Sequence, residues 1–288
     1  MHFGVVVLPE LPWAQVGERW RKAEELGFEH GWTYDHLTWR SFRDQAWYSA
    51  IPTLTAAALA TDRLRLGTLV LSPNFRHPLP LAKELITLDD ISGGRLIAGI
   101  GAGGQGWDAT ALGQPGWSRQ ERGERFVEFV TLTDLLLRHK ELTWSGRYYS
   151  VSEARTYPGC VQEPRAPLAI AATGPTGMRL AAEHGDFWVT TGLTTAGSLG
   201  PDEGAAVVAA QVRRLEDVCH QVGRDASTLR KLVLTGFALD PGLSSGRAFH
   251  ETVRRYEEVG VTDFVVHWPR SKEPFAGEMA LFEEIFSS

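Results

Sequence analysis

The chain has 288 residues, 43% of them apolar and 22% charged, with a formal net charge of −6. Its densest basic run is RWRK at 19–22, no window approaches 18 uninterrupted apolar residues, and the opening MHFGVVVLPELPW lacks a basic flank. Those features argue against nucleic-acid binding, a membrane span and a signal peptide, so the expected protein is cytoplasmic and its partners are small molecules.

In chain order, HFGVVVL (2–8) is a short β-branched run, followed by a helical pattern from Trp13 to Leu26 that Gly27 should end. HGWTYD (30–35) reads as a second strand. A helix at 48–61 places Pro52 near its start, and RLRLGTLVL (63–71) is the third strand. PLAKELITLDDIS (80–92) is helical up to Gly93 and Gly94, and RLIAGIG (95–101) is the fourth strand. Residues 121–138 carry apolar positions at helical spacing, and WSGRYYSV (144–151) reads as a small hairpin insertion. Strand-like runs at 167–173, 187–192, 231–239 and 263–268 then alternate with helical segments at 176–184, 203–222 and 247–259.

Parallel strands need crossover connections, so eight such runs alternating with helices predict one (β/α)₈ TIM barrel over residues 1–288. An open doubly wound sheet is the competing architecture. Against it, the first strand-to-helix turn, LPELPW, has no GxGxxG. Cys160 and Cys219 fit no zinc or CxxC spacing and read as reduced thiols.

A barrel of this kind carries its site at the C-terminal strand ends. These are Pro9-Glu10, Asp35-His36, Ser72-Pro73-Asn74, GAGGQGWD (101–108), ATGPTG (172–177), Thr190-Thr191-Gly192, Phe237 to Asp240 and His267-Trp268. In GAGGQG the amides around Gly101, Gly103 and Gly104 can approach a flat ring or a phosphate, though a flexible connection would look the same. In ATGPTG, Thr173, Gly174, Pro175, Thr176 and Gly177 form a helix start whose amides and hydroxyls suit a phosphate, with plain helix capping as the alternative. Asp35 and His36 point to opposite sides of an extended chain, so one is expected to face the ligand and the other to anchor the loop. His77, His267 and Glu10 could be recruited to a metal, but the first strand lacks paired histidines and no metal is expected. Loops at 36–47, 104–118 and 192–202 bring Trp39, Phe42, Trp47, Trp107, Trp117 and Leu193 to the rim, and Thr191, His267 and Trp268 complete the expected substrate pocket. The apolar character suggests an apolar or aromatic substrate, and no Lys/Arg cluster marks a phosphorylated one.

HFGVVV, KAEELGFEHGWTYDH, LRLGTLVLSPNFRHPLPLAKELITLDDISGGRLIAGIGAGG, TWSGRYYSV and PLAIAATGPTGMRLAAEHGDFWVTTG together resemble the bacterial luciferase-like superfamily of flavin- and deazaflavin-dependent oxidoreductases. The resemblance implies a cofactor ring at the strand ends and a cis peptide at Leu69-Val70, beside Thr68 and under the central ring. It also implies phosphate binding at 173–177 and, most often in this family, a homodimer. The DH dipeptide with TGP looks like the branch that uses coenzyme F420, with FMN as the alternative cofactor and a relative without catalysis as a further one. On that likeness Asp35 contacts the cofactor, His36 handles the coupled proton and Trp39 assists, one residue nearer the histidine than in the sugar-phosphate dehydrogenase pattern. Those dehydrogenases carry a second acid–base glutamate where this chain has Gly104, which argues against membership among them.

Overall fold

The computed structural model describes residues 1–192 and 198–287. Leu193, with the rest of 193–197, lies outside the described residues. The strands are β1 (His2–Val6), β2 (His30–Thr33), β3 (Arg65–Thr68), β4 (Leu96–Gly101), β5 (Glu141–Ser145), β6 (Ser150–Arg155), β7 (Leu168–Ala171), β8 (Phe187–Thr190), β9 (Arg230–Leu234) and β10 (Asp263–His267). All but β5 and β6 pair in parallel as a closed barrel, and the pairing of β1 with β10 rules out the open sheet. β5 and β6 form an antiparallel hairpin, as the sequence suggested, longer at both ends than 144–151.

The helices are α1 (Trp13–Glu25), α2 (Ala50–Ala60), α3 (Pro78–Ile91), α4 (Arg119–Arg138), α5 (Pro175–His184), α6 (Pro201–Gln221), α7 (Gly246–Glu258) and α8 (Met279–Phe286). Strand side chains alternate between two cores, as a period of two requires. Val5, Val7, Ile100, Ile170, Phe264 and Val266 pack under the helices. Val6, Leu8, Trp32, Ile97, Phe187, Val189, Leu232 and Val265 fill the barrel interior. α8 has no counterpart in the sequence reading. It closes the helical layer through Phe282, which stacks on Phe28 at 5.8 Å, and Phe286, 4.5 Å from Phe28.

The repeated helix–Gly–strand phrase has two conformations. Gly27 and Gly260 take positive φ, 80° and 88°, and the next amide returns to the helix, Phe28 to Ala23 and Val261 to Tyr256. Gly185 instead has φ −80°, and glycine is needed there because a Cβ would lie 2.7 Å from the Ala181 carbonyl oxygen.

Gly99 lets β4 approach β3. Its amide and carbonyl both bond the Thr68 hydroxyl (3.1 and 3.0 Å), its carbonyl also accepts from Leu71 N–H, and a Cβ would fall 1.8 Å from the Thr68 carbonyl oxygen. Because a backbone atom must move, Gly99→Ala should cost about 3 kcal/mol, read as a lower urea midpoint at unchanged slope. Gly104→Ala, which meets nothing closer than 3.9 Å, serves as the control and should stay within about 0.5 kcal/mol of wild type.

Candidate active site

The segment after β2 is fixed residue by residue. Thr33 donates to the Val7 carbonyl at 2.8 Å and accepts from Leu69 N–H at 2.8 Å. The Tyr34 hydroxyl lies 2.6 Å from His267 Nε2. Asp35 turns away from the barrel mouth, buried, and accepts two hydrogen bonds from Arg76 at 2.5 and 2.6 Å, while Arg76 also holds Glu84. His36 turns the other way and lines the cleft, so the dipeptide splits into one loop anchor and one cleft-facing group.

Asp108 positions His36. This buried carboxylate lies 2.5 Å from His36 Nδ1 and accepts from the amides of Leu37 (2.8 Å) and Thr38 (3.2 Å). An ionised carboxylate can only accept, so Nδ1 carries the proton in this contact and Nε2 is left for a ligand.

His36 lines a cleft of about 400 Å³ together with Tyr34, Trp39, Arg40, Leu69, Val70 and, further round, Thr191 and Phe237. The Leu69-Val70 peptide on its floor is cis, at the bond the sequence reading named. Trp39 is stacked against Trp47 at 5.4 Å and Phe42 at 5.7 Å, and meets Phe237 edge-on at 5.8 Å. The aromatic stack locks the Trp39 ring at the cleft wall.

Other expected residues lie elsewhere. Thr68 is fully buried and bonded to Gly99, one layer behind the floor. Gly101 backs Val70, where a Cβ would sit 2.4 Å from a Val70 methyl. Gly103 has φ 71° against Asn74, whose side chain donates to the Gly104 carbonyl at 3.2 Å. Thr173 to Thr176 are exposed at the start of α5, with Pro175 in its first turn, and the Trp188 indole fixes the approach by donating to the Ala172 carbonyl at 2.7 Å. The first-turn amides of α5 have no partner within the helix.

Three expected pocket residues do not line this cleft. Trp107 is 45% exposed, with the Arg43 guanidinium 3.6 Å over its ring. Trp268 is buried in the outer layer against Phe282 at 5.6 Å. His267 is buried under Phe275, whose ring stacks on it at 3.4 Å. Burial, only partly countered by the Thr235 carbonyl, holds the His267 pKa down to about 3, so it stays neutral and is no proton carrier near neutral pH. Beyond Phe275 lies a second cavity of about 260 Å³, lined by Leu243, Leu281, Phe282 and Ile285.

Sequence reasoning missed Asp108, Arg76, Arg40 and Phe275, and named Phe237 only as a strand end. Asp108 closed the quoted GAGGQGWD run, and an acid beside a tryptophan in a glycine loop was the available signal.

The family model described as luciferase-like monooxygenase matches residues 1–241. The F420-dependent glucose-6-phosphate dehydrogenase of Beutenbergia cavernae is 37% identical over 171 residues, which is 59% of this chain and 50% of that one. The chain thus spans about half the length of such curated relatives. An F420-dependent secondary alcohol dehydrogenase, solved with an F420–acetone adduct, shares the fold at a TM-score of 0.82, with 20% identity over 99% of this chain and 97% of that one. A monooxygenase from Streptomyces bottropensis has a TM-score of 0.66, with 26% identity over 90% of this chain and 78% of that one.

Proposed function

The chain belongs to the luciferase-like monooxygenase family, and on that premise we propose that it is a coenzyme F420-dependent oxidoreductase acting on a small apolar or aromatic substrate. The observation that carries the reading is His36, held by Asp108, on the wall of a cleft floored by Leu69 and Val70. Support for F420 comes from the F420-dependent dehydrogenase that is 37% identical.

The residues fit a flat ring with a phosphate-bearing tail. Leu69, Val70, Ala171, Val189 and Leu234 offer an apolar bed, and Gly101 and Gly103 keep the chain behind it thin. Thr173, Gly174, Thr176 and Gly177 would hold the phosphate at the start of α5, where the helix dipole favours an anion. Asp35 reaches no ligand directly in this reading; its pair with Arg76 braces the loop after β3.

When bound, F420 supplies hydride transfer. The side chains do the rest. His36 Nε2 gives or takes the accompanying proton, Asp108 keeps the ring in place, and Trp39, Phe237 and Tyr34 keep water from the reacting face. Gly104 offers no carboxylate for a second proton, which argues against a sugar-phosphate substrate. The second reading is an FMN-dependent monooxygenase, favoured by the 26% identical monooxygenase from Streptomyces bottropensis.

Parallel titrations of the purified protein with F420 and FMN decide between them. Micromolar F420 affinity with FMN at least tenfold weaker is the expected outcome. The reverse order replaces this reading with the FMN one and makes oxygen uptake with reduced flavin the next assay.

A further inference from the structure

Arg40 is the only lysine or arginine among the residues that line the main cleft. Its guanidinium carbon sits 4.6 Å over the Phe237 ring and 5.3 Å from that of Trp39. Other arginines of the strand-end loops are engaged elsewhere: Arg76 grips Asp35, Arg270 grips Glu10 through two bonds of 2.7 Å, and Arg43 lies 3.6 Å over the Trp107 ring. Among the described residues no carboxylate pairs with Arg40, and the undescribed run LTTAG at 193–197 contains no acid. Its backbone is held at φ 45°, a region a side-chain-bearing residue adopts only when its surroundings enforce it. Here the 3₁₀ turn Arg40–Phe42 does so, anchored by Phe42 N–H on the Trp39 carbonyl at 2.8 Å.

We propose that Arg40 anchors a carboxylate of the substrate, which makes the substrate class a small organic acid with an apolar or aromatic body. The proposal rests on the reading of this cleft as the substrate and cofactor site. Stacking on two aromatic faces orients the guanidinium plane while leaving its N–H edge for a planar, bidentate acceptor. A carboxylate matches that single fork. A phosphate dianion would need further cations, and the lining has none beyond His36. Ser198 and Thr191, which also line the cleft, carry neutral hydroxyl groups able to complete the acceptor's hydrogen bonds. The body of the molecule would then lie over Leu69, Val70 and Leu234, facing His36.

The test compares 3-phenylpropanoate, an anion, with 3-phenylpropanamide, its neutral counterpart of equal size, by calorimetry on the protein with and without F420. Wild type should bind the acid about tenfold more tightly than the amide, and R40Q should erase the difference while leaving F420 affinity within about twofold. R40K, a point charge without the fork, should keep only part of the preference. Equal binding of acid and amide by wild type overturns the proposal, as does a preference that survives in R40Q. A tenfold loss of F420 affinity in R40Q also overturns it, reassigning Arg40 to the cofactor. Acid preference in a protein that binds no F420 supports Arg40 as the carboxylate anchor and overturns the cofactor reading instead.

Discussion

His36→Ala is expected to lower turnover about a hundredfold or more while F420 affinity stays within about twofold. The ring meets the protein through Nδ1 and Asp108, so its removal deletes a proton carrier without disturbing the apolar bed. A group that acts only in the transition state lowers kcat and kcat/KM together, and steady-state kinetics on the variant read both. Added imidazole, small enough to enter the emptied position, should restore part of the rate. Unchanged turnover removes His36 from the mechanism. Loss of F420 affinity in step with turnover would show that the ring is a binding contact.

Asp263→Ala should cost about 3 kcal/mol of stability, the second large effect, at the opposite end of the barrel. There the Trp32 indole N–H, which can only donate, bonds His30 Nδ1 at 2.7 Å, so His30 Nε2 carries the proton and donates to Asp263 at 2.9 Å. Arg230 and the Thr262 hydroxyl complete the carboxylate's partners. Gly4 makes the room, since a Cβ there would lie 2.1 Å from His30 Nδ1. Removing Asp263 leaves the buried His30 donor unmatched and the largely covered Arg230 guanidinium with only the longer 3.3 Å contact to Glu29. Arg230 keeps some contact with water, which holds the figure at the lower end of the range for broken buried pairs. Burial by itself would raise the Asp263 pKa, but His30 and Arg230 outweigh it and hold the group below the usual carboxylate value. The resulting stability is complete above about pH 4 and is lost as pH falls through the lower folded-state value. Wild type should therefore lose denaturant resistance steeply below pH 4, and Asp263→Ala less steeply. Parallel acid limbs would show that Asp263 does not carry this linkage.

The strands and the barrel were legible because they follow from local patterns, β-branched runs and glycines after helices, whereas the cis bond at Leu69-Val70 came only from the family resemblance carried by LRLGTLVL. The partners of the site were not. Asp108 reaches His36 across 72 positions and Arg76 reaches Asp35 across 41, and no periodicity encodes which of many acids and arginines will meet. His267 misled for a related reason: its strand-end position suggested ligand contact, but Phe275, eight residues later in an irregular loop, covers it. Arg40 was not legible because a lone cation forms no pattern in the sequence, and it counts only where the fold sets it among apolar residues. α8 was not legible because it is only eight residues long and no helix–Gly–strand phrase marks it.

Phe275 stands between the two cavities, its ring packed on His267 and 4.8 Å from Phe237, and it belongs to no strand or helix of the barrel. The Phe237 wall of the main cleft is therefore backed by a loop rather than by the barrel. A smaller residue at 275 would enlarge the 260 Å³ cavity that Phe275 lines and loosen the packing behind Phe237, leaving His36, Asp108 and the Leu69–Val70 floor untouched. The shape of that wall could then drift during evolution, or be engineered, by changes in one loop, independently of the residues that the strand ends hold in place.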